Sequence, residues 1–219
     1  FYSCLVAKYW FESLSSIPTQ AELASEFRYR SPVISKDDLL IFVSQSGETA
    51  DTIGALRFAK KYTKNILAIV NVEQSSIARE SNWVFSTKAG PEIGVASTKA
   101  FTCQLLVLKI LNIKLASDLS KITAKQRSNL LKGLLELPRL FSEILSQNEN
   151  IKKLCKKFLS SNSKIIELGS NDGTFLKNFK NTSIDAIGFE PSKNVSDIAR
   201  KKGINSIKIC SNLFFDLIF

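Results

Sequence analysis

The chain has 219 residues, with no histidine and no methionine. The absence of histidine excludes a Ser-His-Asp triad, His-ligated zinc and imidazole acid–base chemistry within these residues. A hydrophobic content of 44% excludes a disordered chain, and the absence of methionine leads us to expect a piece of a longer protein.

The net charge of +10 raises the question of a nucleic-acid partner. The charge is concentrated, however: residues 121–164 carry ten Lys/Arg against three Asp/Glu. That is the pattern of a solvated helix face, with no interleaved aromatics or RNA-binding signature, so no nucleic-acid partner is expected. The four cysteines, Cys4, Cys103, Cys155 and Cys210, lack metal-ligand spacing. Unpaired thiols point to a reducing, cytoplasmic setting, and no metal site is expected. The longest apolar run, 101–115, is interrupted by Gln104, Lys109, Asn112 and Lys114. No membrane partner is expected from it.

In chain order, residues 2–14 have the apolar spacing of a helix. Thr19–Ala24 reads as a short strand, with Ser25 capping a turn through Arg30. Asp38–Val43 (DLLIFV) is a buried strand, followed by a turn at Ser44–Gly47 and a helix over Glu48–Tyr62. Asn65–Val70 is a second buried strand, Ser75–Glu80 a short helix and Asn82–Phe85 a third strand. A loop at 89–94 then leads to Ser97, the expected cap of a helix reaching about Ala116. Strands of continuous apolar residues alternating with helices predict a parallel sheet covered on both faces. Ligands of such sheets sit at the carboxyl ends of the strands.

Residues 123–145 and 149–160 read as helices with no strand between them, and Pro138 is expected to bend or split the first. Alternation resumes with a strand at Lys164–Leu168, a helix at Asp172–Phe179, a strand at Ile184–Phe189 and a helix at Ser192–Lys202. A third strand is expected to begin at Ser206–Cys210. This second block of about 55 residues should be marginal alone. The polar run Ser160–Ser163 marks a boundary. The expected domains are 1–120, a helical connector over 121–163, and 164–219.

Two hydroxyl clusters carry chemistry. Ser44-Gln45-Ser46-Gly47-Glu48-Thr49 joins a strand to a helix. Free amides at a helix start attract anions, and the hydroxyls and the Gln45 amide can donate to phosphate oxygens. The same residues also fit plain helix capping, with Ser46 at the cap and Thr49 three residues on. No Walker lysine is present, which excludes a nucleoside-triphosphate loop of that type. The second cluster, Val95-Ala96-Ser97-Thr98-Lys99, opens another helix and also reads either as a ligand wall or as caps.

Three strings in order, SEFRYR at 25–30, SQSGETADT at 44–52 and AGPEIGVASTKAFT at 89–102, resemble the isomerase half of the glucosamine-6-phosphate synthase family over roughly residues 1–160. The resemblance implies the sugar isomerase (SIS) fold, a parallel sheet flanked by helices. It implies that Ser44, Gln45, Ser46 and Thr49 hold a sugar phosphate, fructose 6-phosphate or glucosamine 6-phosphate. It also implies that Val95, through its backbone, and Ser97 line the sugar pocket. A Cys-Gly-Thr-Ser stretch of that family would precede Phe1. The family's glutaminase domain and second SIS domain, with its ring-opening groups, are not recognisable here. The expectation is therefore a binding fragment with no catalytic residue and no cofactor, from a family that forms homodimers. The rival reading, a sugar-phosphate sensor of the kind found in transcriptional regulators, lacks a visible helix-turn-helix.

The later string LGSNDGTFLKNF, followed by GFEPSKNVSDIARKKGI, resembles class I S-adenosylmethionine-dependent methyltransferases over about residues 164–205. The glycines allow a tight turn between strand and helix. The resemblance implies a partial Rossmann-like βαβαβ unit in which Gly169, Asn171 and Gly173 contact S-adenosylmethionine and Glu190 holds its ribose. Residues 206–219 match nothing recognisable. The abrupt change near 160–164 would follow from a natural fusion, a genomic rearrangement or a joining error. Amplification across the codons for 150–175 from source DNA separates these, and an amplicon of the expected size removes the joining error.

Overall fold

The structure is a computed structural model that describes residues 1–91, 99–147, 149–150, 153, 159 and 163–208. Contacts divide the chain into two compact units, one of residues 1–92 with 98–137 and one that takes in Pro138 onward.

The first unit is a three-layer α/β/α arrangement. Helix α1 (Tyr2–Trp10) runs into one π-helical turn, Phe11–Ser15, and the chain reverses at Ser16, whose φ is +54°. A short helix α2 (Ala24–Phe27) precedes strand β1 (Leu40–Ser44), helix α3 (Ala50–Ala59), strand β2 (Ile66–Val70), helix α4 (Ser76–Glu80) and strand β3 (Trp83–Ser86). Helices α5 (Lys99–Asp118) and α6 (Ala124–Ser146) follow. The strands are parallel in the order β1-β2-β3, with Leu40 opposite Ile66, Ser44 opposite Val70 and Leu67 opposite Trp83.

Side chains alternate across a strand, and that alternation builds two cores. Phe42, Ile66, Ala68 and Val70 pack with Ala55, Leu56, Ala59 and Ile77 of α3 and α4. Ile69, with Ile41 and Val43, packs with Ala7 and Phe11 on one side chain layer and Leu108 of α5. Every residue of β2 is buried, as a central strand covered on both faces requires. Removing Leu56, Ile66, Ile69 and Ile77 from water contributes about 1.5–3 kcal/mol each.

Several expectations need correction. Thr19–Ala24 is not a strand: Gln20 and Glu22 are polar, no strand pairs with the segment, and Glu22 instead binds Arg30. Helix α2 begins at Ala24, with Leu23 rather than Ser25 at its cap. Pro138 neither splits nor ends α6. The helix is exposed there, so water can satisfy the carbonyl that the proline leaves without a donor. β3 is not covered on both faces; Trp83, Val84 and Phe85 remain exposed because this strand forms an edge of the sheet among the described residues.

α5 is long and apolar enough to cross a membrane by length and composition, contrary to the reading of 101–115. About 28% of that stretch is buried, through residues such as Leu108, Ile113 and Ala116, and Leu108 packs with the sheet and α1.

The second unit contains strands β4 (Lys164–Leu168), β5 (Asp185–Glu190) and β6 (Ser206–Lys208), parallel in the order β4-β5-β6. Helix α7 (Lys193–Lys201) and a 3-10 turn, Leu176–Phe179, cover one side through Leu176, Ala199, Ile204, Ile165 and Ala186. The expected helix from Asp172 does not form. Asn171 and Gly173 have φ of +55° and +75°, and Asp172 accepts from Thr174 N and Oγ1, which fixes a turn. Residues 209–210 of the expected third strand lie outside the described residues.

Candidate functional site

β1 delivers Ser44 to the carboxyl edge of the first sheet, and α3 opens six residues later. Ser44 is buried. Its Oγ accepts from Gly47 N at 3.0 Å and lies 3.4 Å from Thr49 Oγ1. Ser46 Oγ accepts from Glu48 N at 3.2 Å, and Ser46 and Gln45 are partly exposed. Ser44, Gln45, Ser46 and Thr49 thus form one turn around the start of α3. Thr49 occupies the cap position, yet its side chain makes no capping hydrogen bond. The first-turn amides of α3 receive no side-chain acceptor from Thr49, and helix-start amides of this kind are attractive to anions. This differs from the plain capping reading, in which Ser46 would cap α3.

The turn is braced by the next strand–helix connection. Asn71 N donates to Gln45 O at 3.1 Å, Ile77 N to Gly47 O at 3.1 Å, and Ser76 N to Glu48 Oε1 at 2.7 Å. That backbone donor holds the Glu48 carboxyl below its ordinary value of 4.5. Gly47 has φ +69°, and a Cβ there would lie 2.0 Å from Ser75 Oγ. Asp51, in the first turn of α3, pairs with Arg28 of the FRYR string at 3.6 Å, which offsets an acidic charge near an anion site.

An open cavity of about 440 Å³ lies at the carboxyl ends of β2 and β3, lined by Asn71, Glu73, Gln74, Ser86, Lys88 and Gly90 among others. Lys88 binds Glu73, and this hydrogen bond, with Ser86, lowers the Glu73 pKa. Val95 and Ser97 lie outside the described residues. Glu48, Asn71 and Ser75 were not singled out as site residues from the sequence. Only the position of Asn71 directly after a buried strand could have signalled it.

In the second unit, Gly169, Asn171 and Gly173 lie in the turn after β4, with φ of +72°, +55° and +75°. The turn's amides are engaged internally. Gly169 N and Ser170 N donate to Phe189 O at 2.8 and 3.1 Å, Gly173 N to Ser170 O at 3.0 Å, and Asn171 N to Glu190 Oε2 at 2.9 Å. Glu190 Oε1 accepts from Ser192 N at 2.9 Å, and the residue is 1% exposed. Both Glu190 carboxylate oxygens are thus occupied by backbone amides.

A hydroxyl-rich turn at the carboxyl edge of a parallel sheet, braced by its neighbouring turn, is the geometry on which similarity to known proteins bears. The family model for the SIS domain matches residues 1–114. The chain belongs to the SIS domain family. This SIS chain is 51% identical over 160 residues to a glutamine–fructose-6-phosphate aminotransferase (isomerizing) of Bradyrhizobium diazoefficiens, covering 73% of the chain and 26% of that relative. It is 47% identical over 169 residues to the enzyme of the same name from Brucella abortus, covering 77% of the chain and 28% of the relative. The SIS chain thus spans about a quarter of the length of these curated relatives. Among solved structures, the C-terminal domain of glucosamine-fructose-6-phosphate aminotransferase from Francisella tularensis matches with a TM-score of 0.67 at 28% identity, covering 99% of this chain and 71% of that one. A putative phosphosugar isomerase from Clostridium difficile, at 19% identity and a TM-score of 0.65, covering 86% of this chain and 56% of that one, shares the fold.

Proposed function

We propose that the chain is the sugar-phosphate-binding SIS portion of a glutamine–fructose-6-phosphate aminotransferase of the isomerizing type. The observation that carries this is the Ser44–Thr49 turn, with three hydroxyls around an α3 start that Thr49 does not cap. The phosphate of fructose 6-phosphate or glucosamine 6-phosphate sits on the first-turn amides of α3 and accepts from Ser44, Gln45, Ser46 and Thr49. A hydrogen bond to a charged oxygen contributes about 1.5–3 kcal/mol, which places the phosphate as the affinity anchor. The family resemblance assigns the sugar contacts to Val95 and Ser97, which lie outside the described residues. No residue of the chain is assigned a catalytic step. The cytoplasmic setting and the homodimer belong to this same reading; the exposed Leu135, Phe141, Ile144 and Leu145 of α6 suit an assembly surface.

The test is titration of the isotope-labelled chain with glucosamine 6-phosphate by heteronuclear NMR. Shifts centred on 44–52 are expected, and Ser46→Ala or Thr49→Ala should weaken binding about ten- to hundred-fold. Absence of shifts at 44–52 at millimolar ligand refutes the reading.

S-adenosylmethionine binding by Gly169, Asn171, Gly173 and Glu190 is a separate reading that rests on the glycine-turn pattern and its positive φ values. Glu190 would have to leave Asn171 N and Ser192 N to reach a ribose. Calorimetry with S-adenosylhomocysteine tests it: binding lost in Glu190→Ala supports the reading, and no saturable heat removes it.

A further inference from the structure

Asn71 joins the Ser44–Thr49 turn to the stretch that follows β3. Its backbone N–H donates to Gln45 O at 3.1 Å, inside the phosphate turn. Its carboxamide faces the other way, into the stretch after β3. Asn71 Oδ1 accepts from Thr87 Oγ1 at 3.1 Å and from Ala89 N at 2.9 Å, and Asn71 Nδ2 donates to Gly90 O at 2.8 Å. One residue therefore uses its backbone N–H on one loop and both the oxygen and the nitrogen of its carboxamide on the next.

The stretch it holds is one that would not hold itself. Lys88 has φ +51° and Gly90 φ +69°, two left-handed residues within three positions. A non-glycine residue there costs of order 1 kcal/mol or more and persists only where its surroundings over-determine it. Thr87 N is tied to Val70 O at 2.9 Å and Lys88 to Ser86 Oγ and Glu73, while the side-chain contacts of Thr87, Ala89 and Gly90 come from Asn71. The phosphate turn, by contrast, has supports independent of the Asn71 side chain: Gly47 N to Ser44 Oγ, Ser76 N to Glu48 Oε1 and Ile77 N to Gly47 O.

We propose that Asn71 is a positioning residue that sets the stretch 87–90, whose Lys88 and Gly90 line the open cavity at the carboxyl ends of β2 and β3, against the phosphate turn. It thereby gives the site its preference for a sugar phosphate over bare phosphate. This rests on the sugar-phosphate reading above. Losing the carboxamide removes three hydrogen bonds to 87–90 and leaves the phosphate turn in place. The cavity that takes the sugar end then loses its wall at 87–90 while the phosphate end keeps its anchor.

The experiment compares glucosamine 6-phosphate with inorganic phosphate on the full chain by NMR titration. In Asn71→Ala, affinity for glucosamine 6-phosphate should fall about ten-fold, the equivalent of one net hydrogen bond, with inorganic phosphate affinity unchanged within about two-fold. Ser46→Ala should weaken both ligands together. Thr87→Val, which removes one donor to Asn71 Oδ1 at nearly constant volume, should give the same selective loss in smaller measure, and it serves where Asn71→Ala does not fold. Asn71→Asp keeps the acceptor for Thr87 and Ala89 and should retain more of the selectivity than Asn71→Ala. Equal loss of both ligands, or no loss of either, overturns the role of Asn71 and leaves the sugar-phosphate reading standing. Failure of the unsubstituted chain to bind either ligand overturns that reading and this proposal together.

Discussion

Gly47→Ala puts the packing of the phosphate turn on a scale. Gly47 has φ +69°, where a Cβ costs about 1–2 kcal/mol. The new methyl would lie 2.0 Å from Ser75 Oγ and 2.4 Å from Ser75 Cβ. Ser75 cannot swing aside freely, because it is 1% exposed and its Oγ caps α4 through Ala78 N. Such overpacking costs about 1–3 kcal/mol. Together the first unit should lose about 2–5 kcal/mol, a large part of the 5–15 kcal/mol typical of a folded domain. Both tryptophans, Trp10 and Trp83, lie in that unit, so fluorescence-monitored urea unfolding reports it selectively. Gly133→Ala in α6 is the matched control. No atom lies within 4 Å of its new methyl, and exchanging glycine for alanine inside a helix should gain up to about 1 kcal/mol. A Gly47→Ala midpoint equivalent to less than about 0.5 kcal/mol of loss would refute the argument.

Other substitutions probe other parts of the unit. Ser15→Ala strips the partner from Asn112 Nδ2, which donates to Ser15 Oγ at 2.9 Å inside the core, and should cost about 1–3 kcal/mol in urea unfolding. Pairing it with Asn112→Leu should recover part of that loss, since both polar groups are then gone; a double variant no better than the single one would count against this. Glu48 has a folded pKa below its ordinary value, so its contribution is present above the carboxylate range and is lost as pH falls through it. The stability difference between the unsubstituted chain and Glu48→Gln should therefore shrink on acidification from neutral pH, as followed by thermal melts. A difference that grows toward low pH would contradict the assignment. Leu56→Ala, at a fully buried position in the α3 core, should cost about 2–5 kcal/mol by the same unfolding assay.

Much of the architecture can be read directly from local sequence. The runs LIFV, ILAIV and WVF are apolar, β-rich and bounded by turn residues, and each forms a strand. Ser75 caps α4 as its sequence suggests. The Ser44–Thr49 turn between β1 and α3 is legible for the same reason, although hydroxyls and a glycine there suit helix capping as well as anion binding. Periodicity and capping are properties of near neighbours, so near neighbours determine them.

What sequence could not decide depended on partners distant in the chain. Thr19–Ala24 has strand-compatible residues but no strand to pair with, and the edge exposure of β3 follows from sheet order rather than from its own apolar run. Glu190 ends a strand as a ligand-holding acid would, and in the fold its two oxygens accept from Asn171 N in the turn after β4 and from Ser192 N just past β5. Asn71 carries no motif at all. Its importance arises because the parallel order β1-β2-β3 puts Gln45 on one side of it and Gly90 on the other. Sequence alone determined where hydroxyls and helix starts occur; only the tertiary structure decided that the turn after β1 and the stretch after β3 are tied through Asn71, because hydrogen bonds between separate turns exist only after the sheet has set their spacing.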